Sequence, residues 1–243
     1  MKRILAFAYG IICYLAFLAA ILYLVGFVGD IVVPKSVNTG ASSSVWSAVL
    51  IDVGLISLFG IQHSVMARDG FKDWWTKFVP EPIERSTFVL FSSVVVAALL
   101  WFWQPIPGVL WSVEATWATW LLWGLFGFGW FLVFASANMI NGFHLFGVQQ
   151  VWQYMRGQEI TEPEFKTPGF YKYIRHPLMT GFFIAFWAIP TMTVSHALFA
   201  GGMSVYILVG LWFEERDLIR HLGEQYREYR KNVPALIPWI GGS

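Results

Sequence analysis

The stretch LMTGFFIAFWAIPTMTVSHALFAGGMSVYILVGLWF, residues 178–213, decides how this chain folds. It holds two apolar runs, 178–194 and 196–213, which adjoin at Ser195, with Pro190 near the end of the first. A helix needs roughly 20 apolar residues to cross the hydrocarbon core of a bilayer. Two runs of about that length with no room for a loop read as a tight helical hairpin, and whether its first arm crosses separates five spans from six.

Four further runs lie upstream, at 4–28, 45–67, 88–103 and 117–140, the third short unless its flanks extend it. The composition agrees: 57% of the 243 residues are hydrophobic and 13% charged, against about 25% charged in soluble domains. The expected fold is an all-α polytopic transmembrane helical bundle of five spans, or six if the hairpin counts as two. A cytoplasmic amphipathic helix is expected at the C-terminus. Lys2 and Arg3 precede an apolar run too long for a signal peptide, so it reads as a retained anchor. The lipid bilayer is the evident partner, and a net charge of +1 argues against nucleic acid. The single cysteine, Cys13, allows neither an intrachain disulfide nor a cysteine-based metal site, and the five histidines lack ligand spacing, so no metal is expected.

Lysine and arginine orient the spans. With the N-terminus cytoplasmic, segments 1–3, 68–87, 141–177 and 214–243 carry 15 of the 16 positive residues, and the outer side carries Lys35 alone. The loop at 34–44 is outer and rich in small residues, and 241–243 is a loose end. Both feet of the hairpin then meet at the cytoplasmic face: Arg175, His176 and Pro177 at one, Glu214 and Glu215 at the other. Pro177 suits a first helical turn, whose N–H groups and dipole favour an anion. A small zwitterion fits such a pair of feet, its carboxylate toward Arg175 and its ammonium or hydroxyls toward the glutamates. A plainer reading stands beside this one. Basic residues before a span satisfy topology alone, and the glutamates could belong to a solvated amphipathic extension, ERDLIRHLGEQYREYRKN.

The pattern from Gly169 through Tyr171, Tyr173, Arg175, His176 and Pro177, then Gly181, Glu214 and Glu215, and finally Tyr226 and Tyr229, resembles a known family. It is similar to the integral membrane methyltransferases typified by isoprenylcysteine carboxyl methyltransferase, and to phospholipid methyltransferases. That resemblance implies a cytosol-facing S-adenosylmethionine site formed by Tyr173, Arg175, His176, Gly181, Glu214 and Glu215. The family usually has an aromatic two residues after the proline, where this chain has Met179. With RHPLM, AFWAIPTMTVSH, LWFEERDL, FGIQHSVMAR (59–68) and EPIERSTFVL (81–90), the chain resembles the methanethiol S-methyltransferase branch from about residue 59 onward. The implied substrate is a small volatile thiol, methanethiol, converted to dimethyl sulfide. The implied organisation is one integral membrane domain, 1–243. Residues 1–140 form its substrate side and 141–243 its S-adenosylmethionine site, on the cytoplasmic side of a prokaryotic inner membrane.

A second polar seam lies in the membrane on its own account. Gln62, His63 and Ser64 sit near the inner end of the second run, and Asp52, eleven residues before His63, shares a helix face with it. Ionisable groups at such depth mostly face the bundle interior or a wet cavity, although His63 could equally be a structural hydrogen-bonder and Asp52 reads as structural. Glu84 and Arg85 stand at the foot of the third run, and His144 and Gln149 come after the fourth. A simple thiol has a pKa of about 8.5 or above, so its methylation needs a base or a neighbouring cation. His63 is the first candidate and Glu84 the second; Arg85 would polarise the sulfur or hold Glu84. Ser64, His144 and Gln149 would line the substrate side. Three other readings stay open: a prenylcysteine or lipid methyltransferase, an NADPH-dependent membrane reductase with a similar C-terminal pattern, and a non-catalytic scaffold.

Overall fold

The computed structural model describes residues 1–40, 44–161 and 164–238. Positions 41–43 of the outer loop and the loose end at 241–243 lie outside the described residues. Among the described residues, five helices are long and apolar enough to cross a membrane: α1 (Lys2–Gly29), α2 (Val45–Met66), α4 (Glu81–Phe102), α5 (Thr116–Met139) and α9 (Val194–Leu222). A short helix, α3 (Asp69–Trp75), links α2 to α4. The third apolar run gains length from its flank. Its helix begins at Glu81, with proline in the first turn and Glu81 and Glu84 there as well, where carboxylates complement the helix dipole.

The hairpin resolves the count in favour of five. Its first arm, α8 (Pro177–Trp187), has 11 residues and rises only about 16 Å, roughly half the hydrocarbon thickness. Beyond α8 the backbone becomes extended. Strand β2 (Thr191–Thr193) pairs antiparallel with β1 (Val109–Ser112), an addition to the all-α expectation. Non-helical backbone at such a place must find partners within the protein, and it does. Val113 N–H donates to Pro190 O at 3.0 Å and Val194 N–H to Gly108 O at 3.0 Å. His196, fully buried, lies with Nε2 2.8 Å from Phe186 O, and its own N–H is capped by Thr193 Oγ1 at 3.0 Å. The second arm, α9, does not stop near residue 213. It runs to Leu222, turns at Gly223 (φ 58°) and continues as α10 (Glu224–Asn232).

The chain forms two compact units, one of residues 1–107 with 141–165, the other of 108–140 with the segment from 166 on. In the first, α1 packs on α4 and on α7 (Val148–Arg156), and α2 packs on α4. In the second, α5 packs on α8. A Cβ on Gly181 would lie 2.6 Å from Gly129 O, and one on Gly129 2.6 Å from Ala185 N. The two glycines let the backbones touch, as small residues do at membrane helix crossings, and Trp130 closes the flank against Phe182 and Phe186 at ring distances of 5.7 and 6.3 Å. Gly181→Ala and Gly129→Ala should each destabilise the protein by about 1–3 kcal/mol through overpacking, read as a lowered melting temperature in detergent. Gly210→Ala, where nothing lies within 4 Å, should leave it unchanged or slightly raised.

Candidate active site

The start of α8 is built around one buried cation. Arg175 is 7% exposed. Its Nε and Nη2 both lie 2.7 Å from Glu215 Oε1, and its Nη1 donates to the carbonyls of Arg230, at 3.0 Å, and Val233. His176, the N-cap of α8, lies with Nε2 3.2 Å from the same Glu215 oxygen and Nδ1 3.8 Å from Glu214 Oε2. Tyr226 OH donates to Glu215 Oε1 at 3.4 Å, and Arg230 Nε approaches Oε2 at 3.6 Å. Glu215 can reach this cluster because α9 continues past it; Glu214 and Glu215 are mid-helix residues and not a helix end.

The segment after α10 crosses the same spot. Arg175 N–H donates to Pro234 O at 2.8 Å, His176 N–H to Ala235 O at 3.0 Å, and Thr180 Oγ1 to Leu236 O at 2.8 Å. Tyr229 OH donates to Tyr171 O at 2.5 Å, and Tyr171 OH to Ser136 O at 3.5 Å. Burial first, and the neighbouring glutamate second, raise the Tyr171 and Tyr226 phenols well above their ordinary range. Burial pushes Tyr229 up to about 12. All three therefore stay protonated donors at physiological pH.

Of the six residues expected here, Arg175, His176 and Glu215 converge in one buried cluster. The Glu214 side chain, 46% exposed, borders it, and Tyr173 stands 67% exposed beside it. Gly181 faces Gly129 in the helix pair. Missing from the sequence expectation are Thr180, Arg230 and the tail carbonyls. The i, i+3 spacing of Tyr226 and Tyr229, which places both on one helix face, was the available signal for the tail's role.

The other expected residues lie in the first unit. The His63 ring lies 5.5 Å from that of Phe59 and 5.0 Å from that of Phe88, and the Arg85 guanidinium also lies 5.0 Å from Phe88. One aromatic ring thus joins His63 and Arg85. Arg85 Nε donates to Leu145 O at 2.8 Å, which pins the connector helix α6 (Gly142–Leu145) to the foot of α4. Glu84 is buried in the first turn of α4, 6% exposed. Ser64 presents its carbonyl to Arg68 Nε at 3.1 Å. His144 N–H is capped by Asn141 Oδ1 at 3.3 Å, and Gln149 Oε1 accepts from Asn141 Nδ2. Gln150, beside the expected Gln149, is the buried member of that pair and donates to His144 O at 3.1 Å. Asp52 has a structural task at the opposite end of α2, where its Oδ1 accepts Gln104 N–H at 2.8 Å.

Removing the Glu215 charge while leaving Arg175 buried should be costly, and the two glutamates should differ. Glu215→Gln should destabilise by about 3–5 kcal/mol, as for other broken buried ion pairs, and Glu214→Gln by under about 0.5 kcal/mol, compared by melting in the same detergent.

Known proteins share this sequence along nearly its whole length. The chain is 51% identical to methanethiol S-methyltransferase 1 of Bradyrhizobium diazoefficiens, over 98% of this chain and 83% of that one. It is 50% identical to methanethiol S-methyltransferase of Mycobacterium tuberculosis, over 98% of each. A more distant relative is nurim of Bos taurus, 28% identical over 72% of this chain and 69% of that one. No solved structure matches the chain. Residues 51–242 match the NnrU protein family, and the chain belongs to that family.

Proposed function

We propose that this protein is a membrane-embedded methyltransferase that moves the methyl group of S-adenosylmethionine to the sulfur of methanethiol, giving dimethyl sulfide and S-adenosylhomocysteine. The observation that carries this reading is identity of about half, along nearly the whole chain, to proteins named for that reaction. The buried ionic cluster at the start of α8 supports it. Glu214 exposes a carboxylate at the edge of that cluster, and Tyr173, two residues before Arg175, is an exposed aromatic, acceptors that suit the ammonium and hydroxyls of the methyl donor and its cationic sulfur. We place this site on the cytoplasmic side of a prokaryotic inner membrane, in keeping with the distribution of lysine and arginine.

The donor supplies an electrophilic methyl group on a sulfonium. The protein has to supply a thiolate. His63 is positioned among aromatic rings to accept the thiol proton on an imidazole nitrogen, with Glu84 as the second candidate base. Arg85, against the same Phe88 ring, adds a positive field that favours the thiolate over the thiol. Because attack of a thiolate on a sulfonium cancels two charges, a dry pocket would favour the reaction.

A long prenyl or acyl substrate would need a lateral groove leading to these residues. One groove of about 420 Å³ does lie between α1 and α4, lined by Ala16, Ala20, Tyr23, Ala97, Leu100 and Trp101. It occupies the far half of α4. From Arg85 to Ala97 is twelve residues, about 18 Å along the helix. That separation keeps this groove away from the candidate base.

Headspace gas chromatography of purified protein with S-adenosylmethionine and methanethiol should detect dimethyl sulfide, with farnesylated cysteine in a parallel vial left unmethylated. His63→Ala should lower turnover about 100-fold or more while donor affinity, measured by calorimetry, changes less than threefold. Turnover that survives His63→Ala and falls in Glu84→Gln would transfer the base to Glu84. Methyl ester on the farnesylated cysteine with no dimethyl sulfide would overturn the substrate.

A further inference from the structure

A guanidinium has five N–H groups. In Arg175 the Nε and Nη2 face Glu215 Oε1, and Nη1 faces two main-chain carbonyls, those of Arg230 and Val233. A side chain committed in this way, and 7% exposed, has little left to offer the carboxylate of a ligand. Its partners are the informative part. Two of them belong to the end of α10 and the residue just beyond it. The main-chain N–H groups of Arg175 and His176 reach the next two carbonyls, Pro234 and Ala235, and Thr180 Oγ1 reaches that of Leu236. Residues 233–236 are thus laced, carbonyl by carbonyl, across the first turn of α8. Tyr226 and Tyr229 tie α10 down behind them, to Glu215 and to Tyr171 O.

We propose that Arg175 is a positioning residue: with Glu215 it clamps residues 233–236 over the start of α8, and the seated strap forms a wall of the methyl-donor site. Direct contact with the donor then falls to Glu214 at the edge of the cluster and to the exposed Tyr173, two residues before Arg175 in the chain. The proposal rests on the reading that the donor binds here. Its physical basis is the number of anchors. Five hydrogen bonds hold the end of α10 and the strap beyond it, and three of them begin at Arg175, two from Nη1 and one from its main-chain N–H. Glu215 orients the guanidinium by neutralising it from the other side, so loss of either charge should free the tail.

The test places a nitroxide on Ile237→Cys in a Cys13→Ser background. Ile237 is 55% exposed, next to the strap, and Cys13 is the only native cysteine. Full-length protein in detergent is compared with its Arg175→Ala and Glu215→Gln derivatives, folding being checked by circular dichroism. Label mobility is read by electron paramagnetic resonance and S-adenosylhomocysteine affinity by calorimetry. The expected result is a mobile label in both variants and affinity lowered tenfold or more. A label that stays immobile while affinity falls would show Arg175 acting on the ligand itself and overturn the proposal. A freed label with unchanged affinity would overturn it too, because the strap would then be no wall of the site. Failure of the parent protein to bind S-adenosylhomocysteine at all would overturn the donor reading and this one together, an outcome distinct from either of those.

Discussion

Hydrocarbon offers a backbone nothing to bond with, and that constraint shapes the half of the chain that carries the ionic cluster. α8 ends after 11 residues, leaving residues 188–193 with amide groups that a helix would have satisfied internally. Their partners come from a segment far away in sequence. Strand β1, on the approach to α5, pairs with β2, and His196 from the first turn of α9 takes up the carbonyl of Phe186. The same chain therefore needs α5 close beside α8, and Gly129 against Gly181 permits it. Sheet, histidine cap and glycine contact answer one requirement.

The short α8 has a second effect. Its N-terminal end carries a buried arginine, and a buried charge must be paired and hydrogen-bonded or it destabilises the fold. Glu215 supplies the pairing because α9 extends about two turns beyond its apolar part before Gly223 turns the chain into α10. Main-chain carbonyls from 230 and 233 complete the shell. The cluster is both the fixing point of the C-terminal tail and a concentration of buried charge in its unit. The atoms that hold the tail are thus the same ones that neutralise the buried charge. Exposure separates Glu214 from Glu215, two neighbouring glutamates of one helix, where charge does not.

In the other unit the candidates gather around Phe88, which the ring of His63 and the guanidinium of Arg85 both approach. α4 begins seven residues before the apolar run that marks it in the sequence, so Glu84 and Arg85 are helical and face packed neighbours. The connector after α5 returns to this foot through Arg85 and Leu145. Membership of the NnrU protein family and kinship with methanethiol S-methyltransferases agree with a protein whose polar residues are few and collected at helix ends.

Much of this was legible in the linear chain. Apolar run lengths announce membrane helices, the lysine and arginine pattern suggests an orientation, and the neighbourhood of Arg175, His176 and Pro177 announces a helix start with chemistry attached. Those signals are local, set by residues within a turn or two of one another, and local signals survive in sequence. Three features needed the folded chain. That the arm after Pro177 is only half a span depends on β1, which lies far upstream of β2 in the chain. That Glu215 is half-buried and Glu214 more exposed depends on how far α9 continues and which side meets α8. That Arg175 is held by main-chain carbonyls of the tail leaves no mark on residue types at all, because every residue carries the same carbonyl. Sequence determined which groups are costly to bury in a membrane; tertiary structure alone decided which partners make that burial tolerable, because hydrogen bonds and charge pairing act over a few ångströms between residues far apart along the chain.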